Sequence, residues 1–221
     1  MPVLQELLKD ESSEVRLNVV SNLNKLADIA GSSLLSPALL TILNNLTKDQ
    51  QWRVRSAVFE LMGDLAMTLG ITTYQKHIES TFMTFLENSN SSVRGVGVAK
   101  LEQMGKAFGT GWVLDIIHKI KAKLNEAEVG YSYRITVLKA LAALMPKLSQ
   151  EQVNEHILEV FKNSLHDKIP NVKFCVCKII KENMKYIDPA SFERDLLPRL
   201  KELSQSVDKD VAYFSTVAIP M

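Results

Sequence analysis

The sequence predicts an all-α protein, a solenoid of six stacked helical hairpins, on three observations. A hydrophobic residue followed by a basic one recurs at Val15-Arg16, Val54-Arg55, Val93-Arg94, Tyr133-Arg134 and Val172-Lys173, and Val211-Ala212 continues the series without the base. Successive anchors lie 39 residues apart, with one spacing of 40, and a long fixed period of this kind marks a repeat architecture. Around every anchor the apolar residues follow helical spacing, and no stretch alternates in the manner of a strand.

Each element follows from that frame. After the anchors, Val15, Val19, Leu23 and Leu26, or Tyr133, Val137, Leu141, Leu144 and Leu148, mark one face of the second helix of a unit. Before them, shorter runs such as Leu39, Leu40, Leu43 and Leu46, or Ile116, Ile117, Ile120 and Leu124, or Leu196, Leu197, Leu200 and Leu203, mark the first helix. A polar turn of about six residues, KDESSE or KDQQWR for example, joins the two helices. Breakers separate the units: Gly31-Ser32-Ser33, Gly70, Gly109-Thr110-Gly111 and Asp188-Pro189. The units therefore run approximately 1–31, 32–70, 71–109, 110–149, 150–188 and 189–221.

A hairpin of this length cannot bury its apolar faces alone, so the units are expected to stack into a single solenoid with one extended core. Period and unit resemble the HEAT repeat, an armadillo-like superhelix. A coiled coil would need uninterrupted heptads, which the breakers deny. Pro2 and Pro198 share a column, yet nothing before Met1 matches Leu196-Leu197, so the first helix is expected to be cut short and the chain to be a piece of a longer solenoid. The last helix reaches Pro220 after about ten residues, which suggests a short terminal unit.

A second column supports stacking. Five residues before the anchors stand Asp10, Asp49, Asn88, Glu128, Asp167 and Ser206; one residue after them stand Arg16, Arg55, Arg94, Arg134, Lys173 and Ala212. A base in the first turn of a helix is opposed by the macrodipole by about 0.3–1 kcal/mol, so its recurrence calls for a partner. An inter-repeat ladder is expected, the acid of one hairpin beside the base of its neighbour.

Composition bounds the function. The 221 residues carry 26 Lys+Arg against 25 Asp+Glu, a net charge of +1, which argues against nucleic acid or an anionic membrane as partner because both demand a cationic excess. With 46% apolar residues the chain is not disordered. Cys175 and Cys177 are too few for a disulfide framework and lack metal-site spacing, so a reducing, cytoplasmic or also nuclear location is expected. MPVLQELLKDE is neither a signal nor a transit peptide, and no run is long enough to span a membrane. Nucleophile elbows, zinc-protease motifs and phosphate loops are missing from the sequence, and neither metal nor cofactor is expected. His77, His118, His156 and His166 occupy unrelated positions. Gly105-Lys106-Ala107-Phe108-Gly109 ends a helix, where glycine serves as a cap.

What varies between units falls at the hairpin turns. Two residues before the anchors stand Ser13, Trp52, Ser91, Tyr131, Pro170 and Lys209, and Arg53 follows Trp52. Trp52 either folds back over its helix start as a staple or offers its ring to a partner. Contact is favoured, because the other units manage without a tryptophan there, and Trp, Tyr and Arg dominate protein-binding hot spots.

DESSEVRLNVVSNL (10–23), QQWRVRSAVFELMGDLAMTLG (50–70), KAFGTGW (106–112), YSYR (131–134), NVKF (171–174) and VAYF (211–214) closely resemble the C-terminal HEAT repeats of the scaffold subunit of type 2A protein phosphatase. That resemblance implies a non-catalytic scaffold whose C-terminal repeats cradle the phosphatase catalytic subunit through intra-repeat turns, while upstream repeats hold a regulatory B-type subunit. Carried over position by position, it assigns catalytic-subunit contacts to Trp52, Arg53, Tyr131, Arg134 and the turn Ile169-Pro170-Asn171, and gives Arg134 two competing roles. Two rivals come from other classes. A nuclear transport receptor type of HEAT adaptor would be more acidic, and a HEAT-like DNA glycosylase would need a basic face.

Overall fold

The computed structural model describes residues 2–30, 36–124 and 129–220, which fall into two compact units, 1–107 and 108–221. The breaker Gly31-Ser32-Ser33 and the ladder acid Glu128 lie outside the described residues. Among those described, the only regular structure is helical.

Unit 1 holds three hairpins. The first pairs α1 (Pro2–Leu7) with α2 (Ser13–Ala30), the second α3 (Pro37–Leu46) with α4 (Trp52–Leu69). The third runs through α5 (Ile71–His77), α6 (Glu79–Phe82) and a 3-10 turn (Met83–Glu87) into α7 (Ser91–Phe108). Neighbouring hairpins stack second helix on second helix, α2 against α4. Ser36 caps α3 by accepting a hydrogen bond from the Leu39 N–H, and Pro37 follows at its first position, where no amide is needed.

Aromatic side chains fill the middle of this unit. Phe82 packs edge-on against Phe59 and Tyr74, with ring centres 6.3 and 6.1 Å away, and sits 5.3 Å from Phe85. Gly97, which weakens α7 by about 1 kcal/mol on helix propensity alone, has a packing reason: a Cβ there would overlap the Phe85 ring. Gly63 likewise lies beneath the buried stem of Lys100, whose ammonium reaches Asp64 at 2.5 Å and ties the third hairpin to the second.

Unit 2 repeats the plan with α8 (Thr110–Leu124) and α9 (Tyr131–Leu144); then α10 (Gln150–His156), α11 (Leu158–Leu165) and α12 (Pro170–Asn183); then α13 (Pro189–Ser191), a π turn (Phe192–Leu196), α14 (Leu197–Leu203) and α15 (Lys209–Ala218). Here α9, α12 and α15 lie side by side in that order. The start of α10 is set by a full capping box between Ser149 and Gln152, and that of α13 by the Asp188 carboxylate, which accepts from the Ser191 N–H at 2.8 Å. Trp112 is buried against Phe108, ring centres 5.3 Å apart.

Two features differ from the simple two-helix unit that periodicity suggests. Three first helices are bent at one column, fifteen residues before the anchor: Ile78 and Ile157 share φ −119° and ψ −37°, and Leu196 has φ −112° and ψ −43°. Helical hydrogen bonds continue through Ile78 and Ile157, so these helices bend rather than end. At the third site Pro198 follows, which removes a donor from the turn. The breakers Gly70 and Gly109 adopt φ of 83° and 82°, a left-handed backbone that glycine alone takes without strain, and each lets one helix stop and the next start at once.

Candidate functional site

The hairpin turns are built by side chains rather than by backbone alone. At the head of three turns an aspartate of the column accepts the amide two residues on: Asp10 from the Ser12 N–H at 2.8 Å, Asp49 from Gln51 at 2.8 Å, Asp167 from Ile169 at 2.9 Å. Asn88 does the same for Asn90 at 3.1 Å, and the Ser206 hydroxyl for Asp208 at 3.3 Å. These short local bonds explain why Asp, Asn and Ser occupy the column.

The base after the anchor closes the turn from the other side. Arg16 Nη1 donates to the Asp10 and Glu11 carbonyls at 2.6 and 3.0 Å, Arg55 to Asp49 and Gln50 at 2.6 and 3.1 Å, and Arg94 to Asn88 and Ser89 at 2.6 and 3.1 Å. Arg134 donates to the Val129 carbonyl in the same way. A cation in the first turn of a helix is thereby offset by the carbonyls of its own turn.

The outer edge of the guanidinium faces the next hairpin. Arg16 meets Asp49 through Nε at 2.8 Å and Nη2 at 3.1 Å, and Arg134 meets Asp167 through the same two atoms at 2.6 and 3.0 Å. Arg55 finds only the neutral Asn88 oxygen, at 3.4 Å. For Arg94 the corresponding partner, Glu128, lies outside the described residues. Asp10 serves its own turn, with no earlier hairpin base against it among the described residues. Lys173 corrects the expected series. Its forward position holds Ser206, a hydroxyl in place of a carboxylate, and among the described residues the Lys173 ammonium makes no ion pair or hydrogen bond.

With the turns fixed, the variable side chains project from them. Trp52, the first residue of α4, is 36% exposed and has the Arg53 guanidinium 5.1 Å from its ring centre, a cation–π arrangement that leaves both side chains open to solvent. Tyr131, first in α9, is 49% exposed. Pro170 opens α12 after the capping residue Ile169; both are half-buried and Asn171 is exposed. Arg134 is engaged by Asp167 and Val129, which leaves its guanidinium little freedom for an outside partner. Trp52 and Arg53 belong to unit 1, the others to unit 2.

Sequence reasoning missed one contact. His118 and His156 are not unrelated: their rings meet edge to face, centres 5.2 Å apart, where α8 packs against α10. Burial pushes the Cys177 thiol up to about 12, with Cys175 adding to the shift, and raises Cys175 as well. Neither thiol is a nucleophile at neutral pH. No group of three or more metal-ligating side chains occurs among the described residues.

The fold and the side-chain-built turns define a class: a HEAT/armadillo-type helical-repeat protein. Among solved structures, importin β superimposes with a TM-score of 0.70 at 12% identity, covering 98% of this chain and 29% of that one. Cex1p gives 0.62 at 10% identity over 98% and 41%, and an archaeal HEAT-like repeat protein from Thermococcus onnurineus 0.53 at 12% over 98% and 85%. At such identities they establish the fold alone. The sequence is more specific. It is 33% identical over 124 residues to the regulatory A subunit of protein phosphatase PP2A from Saccharomyces cerevisiae, a stretch taking in 52% of this chain, so that half of the chain is similar in sequence to that subunit. It spans about a fifth of the length of that relative, 19%. Residues 2–93 also match the family model described as PIK3R4-like, middle domain. No described helix is long and apolar enough to cross a membrane.

Proposed function

We propose that the chain is a non-catalytic scaffold that docks the catalytic subunit of a type 2A protein phosphatase through its hairpin turns and positions it against B-type regulatory subunits held mainly by further repeats. The reading rests on the similarity to the yeast PP2A scaffold together with one structural observation: Trp52 and Arg53 stand exposed at a turn whose backbone is held by Asp49 and Arg55. A large ring and a guanidinium presented on a stiff support lose little conformational entropy on binding, and this is the chemistry of an interface hot spot. Tyr131 and the turn Ile169-Pro170-Asn171 supply further contacts from unit 2, and Arg134 acts there by holding its turn. A single array of six HEAT repeats, working in the cytoplasm, completes the proposal.

Calorimetric titration of the chain with purified PP2A catalytic subunit tests it. Trp52→Ala combined with Arg53→Ala is expected to weaken binding by about a hundredfold or more while far-ultraviolet dichroism stays native. An unchanged affinity in the folded variant would overturn the assignment of these two residues, and no binding by the wild-type chain would overturn the scaffold reading.

A further inference from the structure

The hairpin turns are not the only surface of unit 2 with binding chemistry. On α9, α12 and α15, the residues two after each anchor are Ile135, Phe174 and Tyr213, and those six after are Lys139, Lys178 and Val217. The same columns of unit 1 read Leu17, Ser56, Gly95 and Ser21, Glu60, Ala99, so the combination of an apolar row beside a basic one belongs to unit 2. Tyr213 is 62% exposed and Val217 37%, and Lys139 is exposed. Phe174 and Phe214 meet across α12 and α15 at 5.8 Å, and Tyr213 packs on Phe214 at 5.0 Å.

Lys178 is the centre of this face. Its ammonium lies 5.0 Å from the Phe174 ring centre and 3.9 Å from that of Phe214, and has no carboxylate partner among the described residues. Lys139 has none either, and it stands at the same column of α9 as Lys178 does of α12, two helices that pack side by side. Two rings hold a cation in place and remove part of its hydration, but the charge remains uncompensated. Adjacent helices pack about 8–10 Å apart, and a chain in the polyproline II form rises about 3.1 Å per residue with three residues per turn, so carboxylates three residues apart fall on one side of it, about 9 Å apart, and match the two lysines.

We infer that the exposed face of α9, α12 and α15 binds an extended acidic peptide segment of a partner protein, with Lys139 and Lys178 pairing two carboxylates three residues apart and Phe174, Tyr213 and Phe214 receiving apolar side chains beside the Lys178 carboxylate, toward α15. The site is separate from the hairpin turns and does not depend on the phosphatase reading.

Fluorescence anisotropy tests it, using the whole chain and a labelled peptide with aspartate at every third position and Phe-Ser between, against a counterpart with lysine for aspartate. Saturable binding of the acidic peptide only is expected, weakened at least tenfold by Lys139→Glu with Lys178→Glu and about threefold by Lys139→Glu alone. The combined Trp52→Ala, Arg53→Ala variant is expected to bind this peptide within twofold of wild type. The proposal is overturned by absence of saturable binding, by equal binding of the basic peptide, by tighter binding of a single-stranded oligonucleotide, or by unchanged affinity in Lys139→Glu. That last variant alters only an exposed side chain, so it keeps the test decisive even if the double variant fails to fold.

Discussion

Arg16 and Asp49, thirty-three residues apart, meet edge to edge through two hydrogen bonds of 2.8 and 3.1 Å, with 15% and 6% of their side chains left exposed. Each is also committed to a turn of its own, Arg16 to the Asp10 and Glu11 carbonyls and Asp49 to the Gln51 amide. One bidentate contact therefore couples the shape of two consecutive turns.

Removing either partner should cost more than a surface ion pair does, because the other charge is left mostly out of water. Arg16→Ala is expected to lower stability by about 2–3 kcal/mol, and Asp49→Ala by a similar or larger amount since it also frees the Gln51 amide. A double-mutant cycle read from urea denaturation should return a coupling of roughly 1–2 kcal/mol. Additive losses would show that the two side chains act only on their own turns.

Between the second and third hairpins the same contact is weaker. Arg55 reaches the neutral Asn88 oxygen at 3.4 Å, although that oxygen still caps Asn90. Asn88→Asp keeps the cap and supplies the missing charge, so it should stabilise the protein by about 0.5–1 kcal/mol. A thermal midpoint that fails to rise would mean that the spacing at this step, rather than the charge, limits the contact.

Gly95 and Gly97 separate propensity from packing within one helix. A Cβ at Gly95 meets nothing within 4 Å, whereas at Gly97 it would overlap the Phe85 ring. Gly95→Ala should therefore stabilise by up to about 1 kcal/mol, and Gly97→Ala should destabilise by about 1–3 kcal/mol despite its better helix propensity. Equal shifts of the urea midpoint in the two variants would contradict the packing found at Phe85.

The fold was legible because periodicity acts on the backbone. Five of the six anchors, Val54, Val93, Tyr133, Val172 and Val211, are buried, and Gly70 and Gly109 stop helices as their conformational freedom predicts. The columns of acid and base were equally visible, but their double duty was not. Nothing in a column tells that Asp49 caps its own turn, or that Arg16 reaches back to carbonyls six and five residues upstream, since both are backbone contacts. The bends at Ile78, Ile157 and Leu196 escaped notice because apolar residues at a bend look like any others on a buried face. His118 and His156 stand at different columns of successive units, so their contact across α8 and α10 breaks the repeat and could be seen only in three dimensions.

The two cysteines offer a probe of unit 2 that needs no partner. Cys177 is 0% exposed and held near a pKa of about 12, chiefly by desolvation, and Cys175 is raised too although Lys139 and Lys178 pull it down. At neutral pH roughly one Cys177 thiol in ten thousand or fewer is ionised, so iodoacetamide should modify the native protein very slowly, Cys175 before Cys177, and both rapidly in denaturing urea. Lys178→Glu exchanges an attractive cation for an anion and should slow Cys175 further. The linkage has a definite sign. A raised folded-state pKa means that the unfolded chain ionises first, so stability contributed by the neutral thiols is full below the ordinary value of 9.0 and declines as pH rises from there toward 12. Cys177→Ala should flatten that alkaline decline of the urea midpoint. Stoichiometric labelling of the native chain within minutes at pH 7, seen by mass spectrometry, would show instead that the α9–α12–α15 packing opens readily.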